Sequence, residues 1–141
     1  MLGIIVTGHG DFGTAMTKSV KMLSGDQDNY AYVDFKESDN LEDLNKKIKE
    51  AIDSLNKCEK ILAFADLTGG SPFNVCLKLK MECYDKLEIV GGVNLPALLD
   101  ACMTRTFEED YEKTISGSIE TGKEEMNRYV TSDDDDEEFE E

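Results

Sequence analysis

With 141 residues, 40% hydrophobic and 33% charged side chains, the chain has the size and balance of one globular domain with a real core. No apolar run approaches the ~20 residues that span a bilayer, and a net charge of −16 disfavours nucleic-acid binding through a basic surface. Half of that charge lies in residues 133–141, eight of which are acidic; such a block repels itself, so 131–141 is expected to be a disordered acidic tail that serves solubility.

Residues 2–7 form an apolar, β-rich run that leads into Gly8-His9-Gly10. With no basic stretch ahead of it, this start reads as a first strand and not as an export signal, which makes the cytoplasm the expected compartment. Residues 12–24 suit a helix that stops at Gly25, and 30–35 (Tyr-Ala-Tyr-Val-Asp-Phe) suit a second strand. In 40–56, Leu41, Leu44, Ile48, Ala51, Ile52 and Leu55 follow helical spacing. Residues 60–65 give a third strand, 71–81 a helix, 87–91 a fourth strand and 95–103 another helix. A last helix over 108–129 is weakly apolar and interrupted by Gly117 and Gly122.

Alternating strands and helices predict an α/β fold, an open and mainly parallel sheet of four strands with helices on both faces. Strands apolar along their whole length fit burial on both sides. Right-handed crossovers then bring the carboxyl end of every strand to one edge. Gly8-His9-Gly10, the loop from Asp66 to Ser71, and Gly92-Val93-Asn94 each follow a strand, so all three gather where open α/β sheets bind ligands. One domain over residues 1–130 accounts for the pattern.

His9 is the single histidine. An exposed imidazole between two glycines can be approached by a bulky partner, and one ring nitrogen can attack phosphorus while the other holds a hydrogen bond. A carboxylate on that second nitrogen would set the tautomer; Asp66, after the third strand, is the candidate. The following Thr68-Gly69-Gly70-Ser71-Pro72 reads as a turn with Ser71 as N-cap and Pro72 in the first helical position. Gly10, Thr68, Gly69, Gly70 and Ser71 are therefore expected to surround a dianionic phosphoryl group. A Ser71/His9/Asp66 hydrolase lacks a Gly-x-Ser-x-Gly elbow, and neither phosphate-loop signature occurs, so no nucleotide is expected. Cys58, Cys76, Cys83 and Cys102 are scattered without a Cys-x-x-Cys pair, and with one histidine they suggest buried thiols and no metal site.

The stretches Ile4-Ile5-Val6-Thr7-Gly8-His9-Gly10, Leu23-Ser24-Gly25-Asp26-Gln27, Asp66-Leu67-Thr68-Gly69-Gly70-Ser71-Pro72-Phe73-Asn74 and Gly91-Gly92-Val93-Asn94-Leu95-Pro96 occur in this order. Together they resemble the EIIA domain of the mannose family of the bacterial sugar phosphotransferase system. The resemblance implies that His9 accepts phosphate from phospho-HPr and passes it to an EIIB component, without a cofactor. It assigns the supporting aspartate to Asp66 and a phosphate-contacting serine to Ser71. It also implies indirect coupling to membrane components EIIC and EIID, which select the sugar, and a homodimer that exchanges a fifth, antiparallel strand. The segment after Arg105 is acidic and short of β-branched runs, which departs from that strand. A related carrier domain feeds a dihydroxyacetone kinase, and a third class is a regulatory module read by its phosphorylation state; Gly-Gly-Ser-Pro-Phe-Asn leans towards the sugar system.

Overall fold

A computed structural model describes residues 1–132; the acidic run at 133–141 lies outside the described residues. Strand β1 (Gly3–His9) is buried from Gly3 to Gly8 and is flanked on one side by β2 (Tyr30–Phe35) and on the other by β3 (Ile61–Ala65). Strand β4 (Leu87–Gly91) pairs with the outer side of β3, giving the order β2-β1-β3-β4 with every pairing parallel. Parallel strands require crossovers, and the chain supplies them as helices: α1 (Phe12–Ser24), α2 (Leu41–Ser54) and α3 (Ser71–Glu82). After β4 come α4 (Leu95–Thr104) and α5 (Tyr111–Glu125). The expected α/β fold, an open parallel sheet of four strands with helices on both faces, is the fold observed. Among the described residues, no helix is long and apolar enough to cross a membrane.

Side chains alternate across a strand, so each buried strand feeds two cores. On one face Ile5, Ile61 and Ala63 pack against Leu44, Ile48 and Ile52 of α2 and Cys76 and Leu79 of α3. On the other, Ile4, Val6, Leu62 and Phe64 pack against Val20 of α1, Leu98 and Ala101 of α4, and Ile115 of α5. Each fully buried aliphatic or aromatic side chain contributes roughly 1.5–3 kcal/mol. The two layers therefore hold the sheet as a rigid platform. Helix α2 starts on a capping box, in which the Asn40 side chain accepts from Asp43 N and the Asp43 carboxylate accepts from Asn40 N.

Two boundaries differ from expectation for physical reasons. Strand β1 continues through Gly8 and His9, beyond Thr7, because Gly8 and His9 pair with Asp34 and Phe35 of β2; ladder pairing outweighs the low strand propensity of glycine. The last helix covers 111–125 and not 108–129, and it runs through both glycines. Gly122 is buried against α4, where an added methyl would stand 2.9 Å from Ala97 Cβ, and its carbonyl accepts from Asn94 Nδ2 at 2.8 Å. Thr114, Ile115, Ser118 and Gly122 form the buried, helically spaced face of α5. That packing explains why this segment is a helix. Among the described residues there is no fifth strand, so the exchanged antiparallel strand implied by the resemblance is not seen here.

Arg105 ties the far pole together. It is 4% exposed and donates to Leu2 O at 2.8 Å, Asn29 O at 2.9 Å, Asp28 O and the Gln27 side chain. One guanidinium thus joins the end of α4 to the start of β1 and the turn before β2. Arg105→Ala is expected to destabilise the fold by about 3 kcal/mol, because buried carbonyls lose their donor. A urea titration followed by circular dichroism reads this as a lower midpoint at unchanged slope.

Candidate functional site

The strand order reverses direction at β1: β2 lies on one side and β3 and β4 on the other. Such a switch point opens a crevice at the carboxyl ends of the two central strands, since the following loops diverge to opposite faces. His9 ends β1 there, and Asp66 follows β3 directly. Alternation along β1 places His9 on the same face as Ile5, the face covered by α2 and α3.

The two residues, 57 positions apart, meet through a single oxygen. Asp66 Oδ2 accepts from the His9 backbone N–H at 2.9 Å and lies 2.9 Å from His9 Nδ1. Oδ1 accepts from Leu67 N at 2.8 Å. A carboxylate only accepts, so Nδ1 carries the proton in this contact, and in the neutral ring Nε2 keeps its lone pair. The Asp66 side chain is 14% exposed and that of His9 45%. The orienting group is thus shielded while the imidazole stands open to a partner.

Helix α3 begins beside the ring. Asn74 N donates to Gly70 O at 2.9 Å, the first bond of the helical ladder, so Ser71 is the first helical residue and Gly70 the N-cap. This corrects the expectation that Ser71 caps the helix. Gly70 takes the extended cap conformation (φ −73°, ψ 169°), and the Asn74 side chain closes the turn by donating to Gly69 O at 2.9 Å. The Ser71 hydroxyl makes no cap bond. Pro72 has no N–H, and the amides of Ser71 and Phe73 have no acceptor within the helix.

Close approach explains two glycines. A methyl at Gly70 would stand 3.1 Å from His9 Cε1, a tight contact that would push on the imidazole, so glycine lets the start of α3 lie this near the ring without displacing it. A methyl at Gly91 would fall 2.2 Å from Thr68 Oγ1, so the end of β4 is pressed against the Thr68 turn. Gly69 holds the turn with φ +83°. The Gly10 amide donates to Phe35 O at 2.8 Å, which engages it with β2. Thr68 and Gly69 are exposed beside the site, and Ser71 is half-buried.

The electrostatics favour an anion. Helices α3 and α4 begin at this edge without an acidic residue in the first turn, whereas α1 has Asp11 as its N-cap and its Thr14 amide donates to the Asp34 carboxylate, and α2 carries Glu42 and Asp43 in its first turn. In a chain of net charge −16, the N-termini of the helices that follow β3 and β4 keep their partial positive charge. The site therefore combines an imidazole held at Nδ1 with a helix start whose free amides favour an anion. A groove of about 670 Å³ between α2 and α3 is lined by Ser71 and Asn74 but not by His9. The imidazole thus stands on the edge, not inside that cavity. Among the described residues, no cluster of three or more His, Cys, Asp or Glu is placed to hold a metal ion.

Sequence reasoning did not assign the roles of Asn74 and Phe35. The Asn74 side chain locks the Gly69 turn, which its place four residues after the Gly69-Gly70 pair hints at. The Phe35 ring lies 5.8 Å from the His9 ring, a contact created by strand register that no local signal announces.

Comparison with known proteins identifies the family and the fold. The family model EIIA-man, described as PTS system fructose IIA component, matches residues 3–118. The PTS system mannose-specific EIIAB component of Escherichia coli (strain K12) is 29% identical over 123 residues, 87% of this chain; the chain spans 38% of that relative's length. The PTS system fructose-specific EIIA component of Bacillus subtilis (strain 168) is 30% identical over 105 residues, 74% of this chain and 71% of that protein. Among solved structures, phosphotransferase system component EIIA from Streptococcus agalactiae superposes with a TM-score of 0.82 at 27% identity, covering 91% of this chain and 97% of that one.

Proposed function

The chain belongs to the EIIA-man family of sugar phosphotransferase systems, and from that premise we propose that it carries a phosphoryl group on His9, taking it from phospho-HPr and passing it to an EIIB component. The observation that carries this reading is the Asp66 Oδ2 contact with His9 Nδ1 at 2.9 Å. It leaves Nε2 as the free nucleophile, on the edge where α3 begins beside the ring.

In the proposed step the Nε2 lone pair attacks phosphorus. The Nε2–P bond forms as the donor's bond to phosphorus breaks, and that electron pair returns to the donor atom. The Nδ1 proton stays in its bond to Asp66, whose carboxylate balances the positive charge that develops on the ring. The amides of Ser71 and Phe73 and the Ser71 hydroxyl support the phosphoryl oxygens. Thr68, Gly69 and Gly10 shape the turn walls around them. Passing the group to EIIB is the same displacement in reverse, because the acceptor is also a nucleophilic side chain. The proposed compartment is the cytoplasm.

Incubation with phospho-HPr, followed by mapping of the acid-labile phosphate, tests the reading. Label on His9 that EIIB then removes supports it, and label elsewhere sinks it. A homodimer is part of the same proposal. Its support is the edge position of β4 together with the exposed Met126 and Val130 that follow α5. Sedimentation equilibrium is expected to give twice the chain mass, and a monomer throughout the micromolar range would remove the dimer from the proposal.

A further inference from the structure

We propose that Phe35 is a positioning residue for His9, holding the plane of the imidazole so that Nε2 presents its lone pair to the incoming phosphoryl group. The inference rests on the carrier reading above and adds a residue to it.

The Asp66 contact secures the ring at one atom. The ring is also tethered through Cγ, but coupled rotation about χ1 and χ2 can still tilt it while Nδ1 keeps its hydrogen bond, and Nε2, on the side away from Cβ, moves most. A second contact is needed to set the plane. The Phe35 ring provides it, with centroids 5.8 Å apart and planes inclined at 59°. Both values fall within the range of tilted aromatic pairs, in which the edge of one ring meets the face of another.

Two further features make this contact firm. Phe35 is the register partner of His9 in the β1–β2 ladder, and its carbonyl accepts from Gly10 N at 2.8 Å, so the two backbones are locked side by side. The Phe35 side chain is half-buried against the core formed with α2 and α3, which restrains its own rotamer from behind.

The chemistry gives the contact a direction. Once Nε2 bears phosphorus while Nδ1 keeps its proton, the imidazole ring is cationic. A cation within about 6 Å of an aromatic ring is favoured more than a neutral group, through the ring's quadrupole. Phe35 thus supports the phosphorylated state more than the free one, and it acts through His9 without touching the phosphoryl group.

The test compares wild type, Phe35→Leu and Phe35→Tyr, all full-length, with phospho-HPr as donor. Leucine keeps most of the apolar volume and removes the ring, whereas tyrosine keeps the ring. Phe35→Leu is expected to lower kcat for transfer by about two- to tenfold, with KM for phospho-HPr within about twofold of wild type, as the loss of one aromatic contact implies. The equilibrium share of phosphate on this chain should fall in parallel. Phe35→Tyr should restore both. A purely structural role would reduce the folded fraction and leave the equilibrium ratio per folded molecule unchanged. Transfer and partition at wild-type levels in Phe35→Leu, or a defect confined to KM, overturns the assignment of Phe35 while leaving the carrier reading intact. Wild-type label mapped away from His9 overturns the carrier reading, and this inference with it.

Discussion

His9→Ala is expected to abolish phosphate acceptance from phospho-HPr. His9 is the chain's single histidine, and alanine offers no nitrogen nucleophile in its place. A neighbouring hydroxyl such as that of Ser71, half-buried at the start of α3, is a weak nucleophile without activation. The loss should be chemical and not structural. The His9 side chain is 45% exposed, so truncation removes little buried surface and stability should change by no more than about 0.5–1 kcal/mol. Labelling with radioactive phospho-HPr, beside a thermal melt of the same sample, separates the two effects. Persistent acid-labile label on a folded His9→Ala protein would remove His9 from the reaction.

Asp66→Ala should slow transfer by about 10- to 100-fold, the usual scale for removing a partner that orients a reactive histidine. The ring would lose its tautomer preference and the balancing negative charge together. Asp66→Asn is expected to fail as a rescue, for a reason visible in the hydrogen bonds. Oδ2 accepts from His9 N and from Nδ1, while Oδ1 accepts from Leu67 N. An amide has one accepting atom, so either orientation turns its NH₂ towards a backbone N–H. If the NH₂ faces His9, it also donates to Nδ1 and moves the ring proton to Nε2, the nitrogen needed for attack. Single-turnover transfer measures the rate, and a wild-type rate in Asp66→Asn would show that charge and acceptor geometry at this position do not matter.

Local physics made much of the fold legible. Helix α1 and strands β2 and β4 occupy the stretches their patterns predict, and α2 differs by one residue at its capped start and two at its end. Strong periodicity and clear stops, such as Gly25 after α1, leave few alternatives. The weaker readings failed where tertiary contacts outweighed them. Gly117 and Gly122 looked like interruptions, yet α5 runs through both because the small face of Gly122 lets it pack on Ala97 and Asn94. Ser71 looked like a cap because serine before proline usually is one. The Asn74 side chain instead closes on Gly69 O, which moves the cap to Gly70 and frees the Ser71 hydroxyl.

The site divides along the same line. The amino-acid sequence by itself determined the alternation of strands and helices, the lone histidine at a strand's carboxyl end, and the Gly-Gly-Ser-Pro opening of α3. These follow from side-chain periodicity and backbone preferences that act over a few residues. Only the tertiary structure decided that β3 lies beside β1, bringing Asp66 to 2.9 Å from His9 across 57 residues, and that Phe35 stands against the ring. Strand order and register come from burying both faces of the sheet at once, under the constraint of right-handed crossovers. That is a property of the whole chain, and no short segment carries it.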